Sequence, residues 1–560
     1  MTAFAPDIEE LLGPAVPPNG AEQPAPVSPS TGAGPVSVLG PFDGASRFDK
    51  AVALWSPPIL SADREIVPEK FTLDSRVRDT IRNDAYVAGG AALHRDGIVG
   101  SMYLLNAKPR TRILGLDERW ETEFQEEVEE KFTLWAESPS NWVDAARRNT
   151  LTGMVRLAIG IYVQAGEVLS TVEWLRDGLR AYNTAIQMVD VDRLSTPPEE
   201  MANPDVQGGV ESNLYGAPQA FHIRRAHPSD YLQPDLAYQW KRVPIRKPWG
   251  RLQVIHILEQ SRPDQSRGIA EIVAGLKECR VTKKFRDIVL QNAVLNATFA
   301  ASIESELPTE SVFAALGAQD MQGAITTYAS SYLGAIAEYA GKGRNLHIDG
   351  VKIPHLFPGT KLQLRPAGQG GPLGNEFEQS LLRYISALLG VSYEELSHDY
   401  TKTNYASGKL AKSNTGKFMQ ARKRMVADRY ASYIYQLWLE EAINKRLITS
   451  LPRNAPAWYD GMNADAYAAC DWIGANFGQI DELKETQAAV LRIKNGLSTV
   501  EEEVARLGKD WRAVYRQVKR EKALRKELDI DDVVGLTQPD NMMNAATGAP
   551  SEANDGAGNA

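Results

Sequence analysis

Apolar residues recur at helical spacing over much of the chain and change to strand-like alternation in its middle. Between about 118 and 136, Trp120, Phe124, Val128, Phe132 and Trp135 follow one another at intervals of three or four, with glutamates opposite. That period predicts an amphipathic helix with one buried face. An earlier helix is predicted from a cap at Asp74-Ser75 to about Tyr86, ahead of a stop at Gly89-Gly90. A third spans about 142–165. The pattern then changes. Residues 167–174 and 185–191 mix alternation with β-branched side chains and predict strands. Residues 209–224 predict a hairpin around Tyr215-Gly216, and 252–258 a further strand.

The longest helical signal comes next. Ile269, Ile272, Val273, Leu276, Phe285, Ile288, Val289, Leu295, Phe299 and Ile303 keep near-helical spacing. Unbroken from 269 to 305, such a helix is about 55 Å long at 1.5 Å per residue; Gly275 is its weak point. Residues 341–375, with four prolines, predict loop and strand. Helix returns over 377–389, stops at Gly390 and resumes near Ser392. A long helix is expected over 405–446, kinked at Gly408 or Gly416. The block 464–530 reads as wholly helical, with Ser498 and Glu501 as a capping box. Residues 1–45 and 537–560 carry little that could form a core, and disorder is expected for both. The fold class is therefore α+β and predominantly helical.

Composition narrows the function. Of 560 residues, 43% are hydrophobic, enough for a real core, and the net charge is −9. An acidic balance disfavours a protein that coats nucleic acid through bulk charge. Two cysteines, Cys279 and Cys470, make neither a disulfide framework nor a four-thiolate zinc site. The N-terminus has no basic start followed by an apolar core, so no secretory signal is expected. The most apolar stretch, 151–163, contains Arg156 and is shorter than the ~20 residues a membrane span needs, so no membrane contact is expected.

Motifs for chemistry are absent. Gly416-Lys417 is followed by Phe418 and lacks the upstream glycine of a phosphate-binding loop; Gly368 to Gly371 precedes Pro372 and reads as a turn. No zinc-protease, paired-cysteine or nucleophile-elbow pattern occurs, and His347 and His355 read as ordinary residues. No catalytic residue, cofactor or metal is therefore expected. Charge placement is more informative. Lys402, Lys409, Lys412, Lys417, Arg422, Lys423, Arg424 and Arg429 face Asp428 alone, with Tyr405, Phe418 and Tyr430 between them. Seven of these, Lys409 through Arg429, are candidates for contact with a polyanion such as DNA; a solvated face, or pairing with acids of a neighbouring subunit, explains them equally well. The basic run 509–526 reads as an ordinary amphipathic helix.

An ordered series of short runs resembles the lambda-type portal proteins of tailed phages. It begins with 94–100 and Leu105-Asn106-Ala107-Lys108-Pro109, then Gly166-Glu167-Val168-Leu169 and 189–195. It continues with Trp249-Gly250-Arg251, Ile255-His256 and Arg262-Pro263-Asp264-Gln265-Ser266-Arg267-Gly268. Residues 349–359, 388–397, Asn404-Tyr405-Ala406-Ser407, Arg422-Lys423-Arg424 and 435–442 complete it. The series covers about 75–450. Ala406 departs from it, since a second serine is expected there.

The resemblance implies a ring, generally of twelve subunits, at one capsid vertex, through which double-stranded DNA enters and leaves. It implies docking of the terminase large subunit, then of head–tail connector or adaptor proteins, and contact with major capsid and scaffold proteins. The protein would be made in the host cytoplasm and reside in the virion. By analogy, 1–45 is an N-terminal arm, 46–262 a wing with the clip placed within 225–262, and 269–305 a stem-type helix. Residues 306–400 continue the wing, 401–450 form a long basic helix near the channel, 464–530 a helical crown, and 537–560 a tail. An acidic subunit suits a conduit, because a uniformly basic wall would grip DNA and slow its sliding. The competing readings are a phage-encoded nuclease or capsid-processing enzyme, and a minor capsid or adaptor protein.

Overall fold

The computed structural model describes residues 54–299, 375–476 and 481–528, together with Val52, Ser330, 333–334, 346–348 and 351–353. The expected arm 1–45 and tail 537–560, the helix end 300–305, His355 and the turn 368–372 lie outside them. Residues 1–60 form one unit and residues 61–560 another.

Two helices open the larger unit, α1 (Ala62–Asn83) and α2 (Ala85–Ile98). The expected stop at Gly89-Gly90 is not a stop: α2 begins just before it and runs through. Asp84 separates the two helices and accepts from the backbone N–H of Tyr86 and Val87, so the cap lies ten residues beyond Asp74. Gly90 serves packing instead, because a Cβ there would stand 2.4 Å from Leu389 Cδ1. Strand β1 (Leu104–Ala107) and a single turn, α3 (Thr111–Leu114), lead to α4 (Glu118–Ala136). All five apolar positions read from the spacing in α4 are buried. The third predicted helix starts later than expected, as α5 (Leu151–Ala165), capped by Thr150.

The β-rich middle holds β2 (Glu167–Trp174), β3 (Thr184–Val189), β4 (Val206–Gln207), β5 (Val210–Ser212) and β6 (Pro218–Arg224). After the short α6 (Pro234–Ala237) come β7 (Trp240–Pro244) and β8 (Val254–Leu258). They make two antiparallel sheets, ordered β3-β2-β8 and β4-β5-β6-β7. A small core of Leu169, Val189, Phe221, Ile223 and Val254 fills the space between them. Strand β2 is buried at each of its first six positions, because its other face packs on the main core. Alternation is lost where both faces of a strand are covered.

The long helix α7 (Leu276–Phe299) begins after a 3₁₀ stretch, Glu271–Gly275, so Gly275 marks its start and not a weak point inside it. The described part beyond 300 includes a hairpin, β9 (Leu346–Ile348) and β10 (Val351–Ile353), within the predicted loop-and-strand stretch. Helix α8 (Asn375–Leu389) ends at Gly390 with φ +65°, and α9 (Tyr393–Ser397) starts from a capping box of Ser392 and Glu395. Asn404 and Ser407 cap α10 (Tyr405–Arg422) reciprocally.

Helix α10 continues through a π-helical segment, Lys423–Asp428, into α11 (Arg429–Asn444). The irregularity expected at Gly408 or Gly416 lies here instead. Its cause is side-chain pairing. Lys423 Nζ donates to Asp428 at 2.7 Å and to the carbonyl of Trp472 at 2.8 Å, and Tyr103 donates to Asp428. Residues five apart diverge by roughly 140° on an α-helix; a π turn brings them to one side.

The last block is not all helical. Between α12 (Asn463–Tyr467) and α13 (Glu482–Lys494) lies β11 (Cys470–Ile473), which pairs antiparallel with β1. The cap of α14 (Val500–Arg506) is Thr499 with Glu502, one residue beyond the expected pair. Helix α15 (Trp511–Glu527) is held to α4 by Arg512 on Glu129 at 3.2 Å and Arg516 on Glu130 at 3.1 Å. The main core is aromatic where α4 meets α11. Phe132 packs edge-on against Tyr435 and Trp438, with ring centres at 5.4 and 5.2 Å.

Candidate functional site

The seven candidate cations do not form one exposed patch. Lys409, Lys417, Arg424 and Arg429 are exposed, and Lys412 is half-buried. At 100° per residue, Lys409 and Lys417 lie within about 80° of each other on α10. Lys409 sits over the Tyr405 ring at 5.9 Å. Arg424, with its side chain 75% exposed, reaches only 4.0 Å from Asp428. These positions are open to solvent.

Arg422 and Lys423 are different. Arg422 is buried, pairs with Glu271 and lies over the rings of Phe418 and Tyr162 at 4.5 and 5.4 Å. Its Nη1 also donates to His94 Nδ1 at 3.2 Å. Lys423 is matched by Asp428 and lies 5.4 Å from the Tyr103 ring. Both charges are neutralised within the subunit. The first of the motif runs thus meets a much later one: His94 of α2 touches Arg422 of α10.

His94 is held in one tautomer. A guanidinium only donates and a carbonyl only accepts. Nδ1 therefore accepts from Arg422 while Nε2–H donates to the Leu389 carbonyl at 2.9 Å. Burial, reinforced by the Arg422 charge, pushes its pKa down to about 3. An unfolded histidine titrates near 6.5. Below that pH the unfolded chain binds a proton that the native ring refuses, so stability falls as pH drops from about 6.5 toward 3. The expected loss at pH 4 is about 3 kcal/mol. Replacing His94 by Asn should lower stability at pH 7 but flatten its pH dependence between 6 and 4 in urea titrations. An unchanged slope would show that His94 is not the group responsible.

Sequence reading missed a second, wholly buried ion network. Glu167 at the start of β2 has no exposure. It accepts from Arg267 at 2.6 Å, His256 at 3.1 Å and the backbone N–H of Gly268 at 2.8 Å, and Lys70 lies 3.3 Å away. Burial alone would raise its pKa; Arg267, Lys70 and His256 together hold it well below the usual carboxylate range. Asp74, 2.9 Å from Lys70, goes the other way, and burial raises it to about 6. Arg267 also donates to the carbonyls of Val191, Leu194 and Gly208. One side chain thus joins β2 to the margin of the second sheet.

The close approach behind this network explains two glycines. Gly166 has φ +73°, and a Cβ there would stand 2.2 Å from the carbonyl of Ile269; one on Gly268 would stand 2.2 Å from Gly166 O. The runs 166–169 and 262–268 lie backbone against backbone. The paired signal, Gly-Glu in one and Arg-Gly in the other, was present in the sequence, but nothing in either run says that they meet.

Neither cysteine thiol is activated by its surroundings. Burial pushes the thiols of Cys279 and Cys470 up to about 11, far from a nucleophile's range. Among the described residues, Asp190, Asp192 and His227 offer ligand atoms within 4.8 Å of one another. Arg78 already bridges both oxygens of Asp192 at 2.6 and 2.7 Å, which matches its charge without an ion.

Comparison with known proteins bears out the family resemblance. The family model described as phage portal protein, lambda family, matches residues 48–423. The portal protein B of Escherichia phage lambda is 34% identical over 481 residues, 85% of this chain and 88% of that protein. The portal protein of Escherichia phage N15 is 34% identical over 482 residues, 85% of this chain and 89% of its own length. A chain in the virion of a native gene transfer agent particle aligns at 12% identity and a TM-score of 0.34, over 81% of this chain and 94% of that one. The chain belongs to the lambda family of phage portal proteins.

Proposed function

We propose that twelve copies of this chain close into a ring at one vertex of a phage capsid, and that double-stranded DNA passes through the ring unaltered. The observation that carries the proposal is the family match across 48–423. On this reading the ring receives the terminase large subunit during packaging and head–tail connector proteins afterwards, beside major capsid and scaffold proteins. A heterologous contact that closes on itself needs exposed apolar surface. Helix α7 supports it, with Val281, Ile288, Val289 and Leu290 between 45% and 66% exposed. No helix among the described residues is long and apolar enough to cross a membrane.

Mass measurement tests the ring. Twelve subunits of 61.6 kDa give about 740 kDa; a monomer that cleaves DNA or protein would overturn the proposal. A proline at Ile288 should abolish the ring, because it removes a hydrogen bond inside α7 and costs about 3 kcal/mol. Ile288→Ala keeps the helix and separates backbone from side-chain effects. Rings of normal mass from the proline variant would mean that α7 plays no part in assembly.

The exposed cations Lys409, Lys417, Arg424 and Arg429 stand as candidates for guiding DNA or for pairing with a neighbouring subunit. Replacing all four by Glu should leave the subunit's melting temperature within a few degrees, since exposed charges contribute little to stability. It should reduce DNA packaged per head, or prevent rings from forming. Normal rings holding a full genome would remove these residues from either role.

A further inference from the structure

The end of β2, strand β7, the turn before β8 and the last turn of α11 enclose a groove of about 680 Å³. Five cations and three carboxylates line it, a net charge of +2 in a chain whose own net charge is −9. The deep charges are matched. Glu440 accepts from Arg251 at 2.6 Å, and Glu441 from Lys445 at 2.5 Å and the backbone N–H of Thr184 at 2.8 Å. At the rim, Arg176, Lys241 and Lys247 are exposed and form no ion pair among the described residues. Two indoles share the groove, Trp174 at 43% and Trp249 at 57% exposed.

Cations beside open aromatic rings fit a peptide that alternates acids with apolar side chains, or a single nucleic-acid strand. The observations favour the peptide. Glu173 in the lining has no ion-pair partner among the described residues; a chain charged at every phosphate would meet it, whereas a peptide can set an apolar side chain beside it. The Trp174 ring already has Arg251 and Lys445 over it, at 5.1 and 5.5 Å, which obstructs base stacking.

The chain itself contains such a peptide. The described part ends at Leu528, and the next six residues are Asp529, Ile530, Asp531, Asp532, Val533 and Val534. Three carboxylates and three branched apolar side chains match three free rim cations and two indoles. We propose that the groove takes up the acidic segment 529–534 of a copy of this chain, the aspartates on the rim cations and an apolar side chain against the open Trp249 ring. The proposal does not require the ring.

Zero-length carbodiimide cross-linking of the full chain, read by mass spectrometry, tests it. The expected product joins Lys241 or Lys247 to Asp529, Asp531 or Asp532. A mixture of isotopically light and heavy copies shows whether the segment comes from the same chain or another; either origin supports the proposal. The cross-link should be lost when the three aspartates are changed to Asn. It should weaken when Trp249 is changed to Ala, which leaves the rim lysines in place. Cross-links of these lysines only to Glu173, to acids outside 529–532 or to a different protein would overturn it, as would lasting protection of the groove by a single-stranded oligonucleotide alone. Sedimentation of the same sample reads the ring separately.

Discussion

Changing Arg422 to Glu should unfold the subunit, whereas Arg424→Glu, two residues away, should leave it folded. The two positions look alike in sequence. In the structure Arg422 is buried against Phe418 and Tyr162 and bound to Glu271 and His94, while the Arg424 side chain is 75% exposed. Reversal at 422 puts a carboxylate beside Glu271, removes two cation–ring contacts and leaves His94 Nδ1 without its donor. The Glu271 side chain is 46% exposed and can turn to water, but the new carboxylate would stand at a buried position with no cation beside it, and an unpaired buried charge costs several kcal/mol. That is a large share of the roughly 5–15 kcal/mol that keeps a domain folded. The exposed reversal should stay within about 0.5 kcal/mol. Urea unfolding of both variants, together with soluble yield, checks this. If Arg422→Glu folds like the parent and loses only packaging, Arg422 acts between subunits or on DNA and its internal contacts are minor. Reversing 422–424 together would mix a folding defect with any effect on DNA.

This contrast marks the limit of what the sequence carries. Period and composition exposed α4 with its whole buried face, the strand 167–174, and the stop at Gly390, because each depends on neighbours a few residues away. Gly89-Gly90 was misread for a tertiary reason. A glycine pair usually ends a helix, but here Leu389 needs the space beside Gly90. Strand β11 was missed because it is four residues long and its partner β1 lies more than 360 positions earlier. The π segment was missed because its cause is a pairing of Lys423 and Asp428 with Tyr103 and Trp472, which no local rule contains.

The candidate site shows the same division. The charge run between 402 and 429 was legible as a run, but its separation into exposed Lys409, Lys417, Arg424 and Arg429 and internally matched Arg422 and Lys423 was not. Burial of a cation depends on what packs over the helix, here α2 and the 3₁₀ stretch with Glu271. The motif runs turn out to share a physical property. His94 meets Arg422, and Glu167 meets Arg267 and Gly268, so several of them are two halves of one contact.

The Glu167–Arg267 contact predicts a second large effect. Replacing Arg267 by Met removes the main counter-charge of a carboxylate with no exposure and takes one donor from each of the carbonyls of Val191, Leu194 and Gly208. The expected loss at pH 7 is about 3–5 kcal/mol. Its pH dependence identifies the cause. In the parent, Glu167 has a depressed pKa, so its contribution is present above the unfolded value near 4.3 and is lost as pH falls through the folded one. In the variant, burial outweighs what remains and raises the pKa above the unfolded value, so Glu167 penalises folding at neutral pH and less so in acid. The stability gap between the two proteins should therefore narrow from pH 7 to pH 4.5. Adding Glu167→Gln to the variant should recover part of the loss at pH 7, where a neutral amide no longer needs a cation. A gap that stays constant with pH, or a double variant no better than the single one, would mean that Arg267 acts through its backbone carbonyls and not through the charge of Glu167.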